Sequence, residues 1–226
     1  MKNLKAILFD LDGTLIDSEY FHYECWNEIL EEYNVALTFA DWLKNYAGMP
    51  LPVNAKSLME KHQIKTNLND FIAMRENLFL ERLKTKDISL MPYALEFIQF
   101  FHNKGLILSI VTASSRQEVE LIFDRNGLRK YFSLIITRTD VDKSKPDPES
   151  YNICCKELNI SKEQCIVFED TENGIKSAVA AGITCYAIQS NVTEHARLSL
   201  ADKLFLNLNE AKKYMLKSQL IALADN

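Results

Sequence analysis

Apolar residues gather in short, nearly unbroken runs at Ala6–Phe9 (AILF), Leu106–Val111 (LILSIV), Leu134–Ile136 (LII), Cys165–Phe168 (CIVF) and Thr184–Ile188 (TCYAI). Continuous runs of this length, rather than alternating ones, predict strands buried on both faces, as in a parallel sheet covered by helices. Between them the spacing changes to a helical period over about 93–104, 116–126, 148–159 and 172–181. A weaker strand is predicted near Leu204–Leu206, followed by a C-terminal helix. Strands alternating with helices predict an open α/β sheet that binds ligands at the carboxyl ends of its strands.

One long stretch breaks the rhythm. From Leu15 to about Asp87 no convincing strand occurs, and segments such as FHYECWNEILEEYNV and DFIAMRENLFLERLKT read as helices. A structureless loop of that length does not suit a compact domain, so the stretch is expected to be an inserted helical bundle. The expected division is a core of residues 1–16 and 90–226 and a helical insertion of residues 17–89, joined near Asp17 and near Ser89–Pro92. Trp26, Phe39, Trp42, Phe79 and Leu83 are the expected core of the insertion. In the sheet domain, Ala178, Ala181 and Gly182 either let a helix approach the sheet closely or, for Gly182, end that helix.

The chain's 226 residues suit one core domain plus a smaller insertion. Its net charge of −5 gives no reason to expect nucleic acid or an anionic membrane as partner. No segment has 18 consecutive apolar residues, and Asp10 and Asp12 interrupt the apolar N-terminus, which makes a poor signal peptide. The five cysteines are odd in number and irregularly spaced, the pattern of reduced thiols in a cytoplasmic protein. Cys154 and Cys155 fall within a predicted helix and are expected to be inert. A monomer or weak oligomer is expected.

Four places combine a strand end with reactive side chains. Asp10 and Asp12 in FDLDGT follow the first strand, and Gly13 permits a sharp turn. Two acids this close repel unless a cation or a shared proton intervenes; equally, Asp-Gly is a common turn of solvated residues. Glu169 and Asp170 follow another buried strand, so both pairs can converge on one hard cation, magnesium above all, or form an exposed acidic loop. Lys145 lies in KSKPDP, where Pro148 suits a first helical turn and Asp147 an N-cap. Thr112, Ala113, Ser114 and Ser115 end the strand from Leu106 and offer hydroxyls and backbone N–H groups to an anion; alternatively Ser114 or Ser115 only caps the following helix.

In this order and context, FDLDGT, VTAS, the lysine of KSKPDPE and FEDTENGIKSAVAAGI resemble the four motifs of the haloacid dehalogenase superfamily. The resemblance covers about residues 4–208, and the insertion resembles the helical cap of the β-phosphoglucomutase-like branch. It implies a Rossmann-like α/β core with an α-helical bundle cap, and magnesium-dependent phosphoryl transfer. It further implies that Asp10 is the nucleophile and Asp12 the general acid and base. Asp10, Asp12 (through its backbone carbonyl), Glu169 and Asp170 would serve the metal. Thr112, Ala113 and Lys145 would hold the transferring phosphoryl oxygens.

The second acid, Asp12, sets the chain apart from the dehalogenases and phosphonatases of that superfamily and leaves phosphate esters. The branch's mutases carry an arginine beside a glycine turn in the cap, whereas Ala47–Pro52 contains no basic residue. The expectation is therefore a phosphomonoesterase acting on a small phosphorylated metabolite such as a sugar phosphate, with a β-phosphoglucomutase-type sugar phosphomutase as alternative. A magnesium-binding, phospho-accepting signalling domain is the non-enzyme alternative. His22 stands where a cap histidine often occurs in this branch, and Arg75 is a further candidate for substrate contact or an ordinary surface arginine. The second linker has Pro92-Tyr93 where the branch usually has Pro-Gly.

Overall fold

The computed structural model describes residues 4–218 and residue 220. Six parallel strands form one sheet: β1 (Ala6–Phe9), β2 (Ile107–Val111), β3 (Leu134–Ile136), β4 (Cys165–Glu169), β5 (Thr184–Ile188) and β6 (Lys203–Phe205), in the order β3-β2-β1-β4-β5-β6. The chain leaves β1 for β2 and β3 on one side, then returns to β4, β5 and β6 on the other. Such a reversal of strand order opens a crevice at the strands' carboxyl ends. Register places the chemistry there: Phe9 pairs with Ile110 on one side and Phe168 on the other, so Asp10 and Glu169 emerge at one level.

The strands are buried because helices cover both faces. On one face Ala6, Leu8, Val111 and Val167 pack with Tyr151, Cys154, Ile175 and Ala178 of α7 (Glu149–Leu158) and α8 (Glu172–Ala180). On the other, Phe9 stacks on Phe168 at 5.6 Å, and both meet Phe97 of α5 (Ala94–Asn103) edge-on at 5.8 and 5.1 Å. Helix α6 (Arg116–Asn126) brings Phe123 against Phe132, which in turn meets Phe9. Helix α9 (Leu208–Lys217) closes the fold.

Local chemistry sets the helix ends. Ser115 and Glu118 form a reciprocal capping box on α6, and Gly127 ends that helix in the left-handed region. Thr171 accepts from Gly174 N at the start of α8. Helix α7 departs from expectation: Pro148 rather than Asp147 takes the N-cap position, and Asp147 Oδ1 still accepts from Glu149 N at 3.0 Å. A proline there has no N–H to satisfy. Gly182 follows α8 at φ +76° with open space around its α-carbon, so it terminates the helix rather than easing close packing. Tyr93, where the resembled family has glycine, takes φ +68° at the start of α5, a region a tyrosine seldom occupies.

Asp17–Ser89 forms a compact unit of its own, separate from the sheet domain. Its helices are α1 (Glu19–Glu31), α2 (Phe39–Asn45), α3 (Leu51–His62) and α4 (Leu68–Leu83). Trp26, Leu30, Trp42, Tyr46, Leu58 and Phe71 make its core. Phe79 and Leu83 are also buried, whereas Phe39 is only half-buried and packs at the core's margin. Glu19 accepts from both Trp42 Nε1 (2.8 Å) and Gly48 N (3.0 Å), tying α1 to the turn after α2. Among the described residues no helix is long and apolar enough to cross a membrane.

Phe97 is 1% exposed at the centre of the aromatic cluster beneath the strand ends. Phe97→Ala is expected to cost about 3–5 kcal/mol through lost burial and a cavity. Urea unfolding followed by circular dichroism should show a lower midpoint at an unchanged slope.

Candidate active site

Three strand ends and one loop deliver the site. Asp10 follows β1 and is fixed by its N–H donating to Phe168 O at 2.9 Å. Glu169 is the last residue of β4 and is fully buried; Asp170 follows it. Lys145 arrives from the loop between β3 and α7, which Glu149 closes by accepting from the N–H groups of Asp142 and Lys143. Ser177 of α8 donates to Asp147 O at 2.6 Å and holds the same loop from the other side.

Lys145 is the hub. Its ammonium donates to Asp10 Oδ1, Glu169 Oε1 and Val111 O at 2.6, 2.6 and 2.7 Å, with only 7% of the side chain exposed. Charged, hydrogen-bonded pairs of this kind are the strong ones. Tyr151 of α7 donates its hydroxyl to Glu169 Oε1 at 2.7 Å and lies under the ammonium, 5.2 Å from ring centroid to Nζ.

The cluster remains crowded with negative charge. Burial pushes Asp10 up to about 8; Lys145 opposes this, while Glu169 and Asp12 add to it. Burial alone would lower Lys145, but the Asp10 and Glu169 carboxylates outweigh it and hold the ammonium above the usual lysine range. Burial also raises Tyr151 well above the usual phenol range, with Glu169 and Asp10 adding to the shift, so its hydroxyl stays a donor. One oxygen each from Asp10, Glu169 and Asp170 lies within 4.8 Å of the others. An all-oxygen set this tight, short of positive charge, fits a hard divalent cation such as Mg²⁺.

Two glycines make room for these acids. A Cβ on Gly13 would stand 2.1 Å from Asp170 Oδ2, and φ at Gly13 is +73°. A Cβ on Gly174, in the first turn of α8, would stand 1.9 Å from Glu169 Oε2. That oxygen thus rests against a helix N-terminus, where partial positive charge favours a carboxylate.

The structure brings together Asp10, Lys145, Glu169 and Asp170. The Asp12 side chain lies outside the three-acid cluster; its Oδ2 accepts from Ser114 Oγ at 2.6 Å. The choice between the two serines is thereby resolved, since Ser115 caps α6 and Ser114 reaches Asp12. Thr112 is buried, accepts from Ser114 N at 3.0 Å and precedes the exposed Ala113. His22 belongs to the helical unit, where its ring stacks on Phe79 and its Nδ1 meets the guanidinium of Arg75. Arg75 is 4% exposed with its charge 4.2 Å from the Phe79 centroid, so it is no solvated surface arginine. Sequence reasoning missed Tyr151 and Gly174. Tyr151 stands six residues after Lys145, which places it in the first turns of the helix behind the lysine loop, but its partner Glu169 comes from a distant strand.

The sequence profile described as haloacid dehalogenase-like hydrolase matches residues 7–188. A phosphorylated carbohydrates phosphatase of Thermotoga maritima is 31% identical over 184 residues, covering 80% of this chain and 82% of that protein. The fructose-1-phosphate phosphatase YqaB of Escherichia coli is 29% identical over 179 residues, covering 79% and 93%. Among solved structures, CbbY from Rhodobacter sphaeroides in complex with phosphate shares the fold with a TM-score of 0.78 at 24% identity, covering 92% of this chain and 96% of that one. With six parallel strands and acids gathered at their carboxyl ends, this chain belongs to the haloacid dehalogenase-like hydrolases. Several of its relatives in that family are named phosphatases, and its class is phosphoric monoester hydrolase.

Two outcomes test this site. An ordinary aspartate releases its proton at 3.8, whereas native Asp10 keeps it up to about 8. The native state therefore binds the extra proton, and the stability this contributes is full at acid pH and lost as pH rises through about 8. Urea unfolding in a chelator should show the wild type losing stability relative to Asp10→Asn across that range; parallel profiles would refute the raised value. Gly174→Ala should push the Glu169 carboxylate off its seat and weaken metal activation by about 10–100-fold. A Mg²⁺ titration of p-nitrophenyl phosphate hydrolysis reads this.

Proposed function

We propose that the protein hydrolyses a small sugar phosphate through an aspartyl-phosphate on Asp10, with Mg²⁺ held by Asp10, Asp170 and the backbone carbonyl of Asp12. The observation that carries this reading is the convergence of Asp10, Glu169 and Asp170 within 4.8 Å, beside a lysine that bridges two of them. A phosphate dianion approaching these acids meets repulsion that a single ammonium does not offset. The bound cation would neutralise the remaining charge and align the phosphoryl group with Asp10.

The Asp10 carboxylate forms a bond to phosphorus while the bond to the ester oxygen breaks. Asp12, protonated at the start, gives its proton to the departing alkoxide, then takes one from the water that attacks the aspartyl-phosphate. Ser114 positions Asp12 for both transfers through the bond to Oδ2. Lys145 stabilises the transferring oxygens, as do the Thr112 hydroxyl and the Ala113 N–H, while Glu169 keeps Lys145 charged and in place. Charge stabilisation and alignment supply most of phosphoryl-transfer catalysis. By family resemblance the helical unit takes the part of the cap, with His22 its candidate for substrate contact.

The sugar phosphate class rests on relatives whose names specify phosphorylated carbohydrates and fructose 1-phosphate. Hydrolysis is favoured over mutase chemistry because Ala47–Pro52 offers no cation for a second phosphate.

Asp10→Asn should lower kcat on p-nitrophenyl phosphate by about 10³-fold or more, the scale of losing a residue that acts as a unit with its partners. Asp12→Ala should let the phosphorylated enzyme accumulate, seen as an added phosphate by intact-mass spectrometry. Wild-type turnover in Asp10→Asn would sink the reading. A phosphate-ester panel should rank sugar phosphates above nucleotides.

A further inference from the structure

Four of the five cysteines, Cys154, Cys155, Cys165 and Cys185, lie in the core between the sheet and helices α7 and α8. Two of them touch: Cys155 Sγ, near the end of α7, is 3.9 Å from Cys165 Sγ, at the start of β4. Cys165 is fully buried, and its sulfur also contacts Ser161 O at 3.5 Å. Cys155 differs from the others in access. It retains 5% exposure and lines an open surface cavity of about 570 Å³ together with Asn152, Lys156, Ile160, Lys162 and Glu163. Cys25, Cys154 and Cys185 have no exposure at all.

We propose that Cys155 and Cys165 form a peroxide-sensitive dithiol, in which Cys155 is oxidised from the cavity and Cys165 resolves it to an intramolecular disulfide. The oxidant is hydrogen peroxide, small enough to enter the cavity. The Cys155 sulfur attacks one peroxide oxygen; an S–O bond forms, the O–O bond breaks, and the other oxygen leaves as water with the thiol's proton. The Cys165 sulfur then attacks the Cys155 sulfenic acid. An S–S bond forms, the S–O bond breaks, and hydroxide takes the Cys165 proton to leave as a second water. Two thiols lose two electrons in all, and the peroxide gains them.

Reactivity follows the same asymmetry. The sulfur–sulfur contact holds Cys155 below the usual thiol range and Cys165 above it; partial burial opposes the shift at Cys155 and the Lys162 ammonium assists it. Burial raises Cys154 and Cys185 instead, and pushes Cys25 up to about 11. Low-titrating thiols beside cations in partly open surroundings are the ones that oxidise. The sulfurs must close from 3.9 Å to the bonded distance of about 2.0 Å, a movement of side chains on neighbouring elements. The link would join the two elements that frame Glu169, since Cys155 stands one helical turn after Tyr151, and Cys165 begins the strand that Glu169 ends.

The test is peptide mapping of the full chain after hydrogen peroxide, with free thiols alkylated and digestion by trypsin without reductant. The expected product joins the peptide of residues 144–156, alkylated at Cys154, to that of residues 163–176, two hydrogens lighter than their sum, and dithiothreitol releases it. Cys154→Ser should keep the link and Cys155→Ser should abolish it. In Cys165→Ser, Cys155 should stop at a sulfenic acid that dimedone labels. Circular dichroism checks that each variant is folded. A link that survives in Cys155→Ser overturns the assignment. So does a wild-type protein whose Cys155 stays reduced or runs on to sulfinic acid without linking to Cys165.

Discussion

Carboxylates do not gather in a protein interior unless positive charge gathers with them, and here one ammonium meets that requirement. Lys145 reaches from the loop after β3 to Asp10 and Glu169 at the ends of two adjacent strands, with both contacts at 2.6 Å. Glu169 has no exposed surface, so water cannot stand in for the lysine. Removing one partner of such a buried pair typically costs about 3–5 kcal/mol. Tyr151 and Thr171 also donate to Glu169, whose Oε2 lies against Gly174 in the first turn of α8. One ammonium still falls short of the acids around it. Burial, with Glu169 and Asp12 adding to it, leaves Asp10 reluctant to ionise, and the crowded acids fit a divalent cation.

Sheet topology makes the gathering possible. β1 lies between β2 and β4, so the ends of three strands stand side by side although they are far apart in sequence. Pairing of Phe9 with both Ile110 and Phe168 sets their level, and the aromatic cluster beneath keeps it. The two glycines complete the arrangement by omission. Side chains at positions 13 and 174 would occupy the volume taken by the Asp170 and Glu169 carboxylates. Their role is close approach, and at Gly13 a positive φ as well.

The helical unit shows the same rule on a smaller scale. Arg75 is buried, and its charge is accommodated by the face of Phe79 and by His22. Glu19 likewise serves two donors, Trp42 Nε1 and Gly48 N. In both halves of the chain a buried charged group organises nearby backbone or rings.

Much of this was open to reading in the sequence, because unbroken apolar runs, capping residues and acid pairs after strands are local patterns. The runs at Ala6–Phe9 and Cys165–Phe168 marked two central strands, and the serine pair Ser114–Ser115 marked the start of α6 without deciding which of them caps it. Asp10, Lys145, Glu169 and Asp170 could be named as candidates from their places after strands and from the resemblance of four motifs. Other features depended on partners brought together only by folding. Tyr151 looks like any core aromatic until its hydroxyl meets Glu169 of β4. Ser114 and Ser115 are indistinguishable as neighbours until one caps a helix and the other finds Asp12, which precedes it by 102 positions. Local order along the chain thus determined the elements and the acids they carry. The tertiary structure alone decided which charges meet, because hydrogen bonds and ion pairs act over ångströms and not over sequence separation.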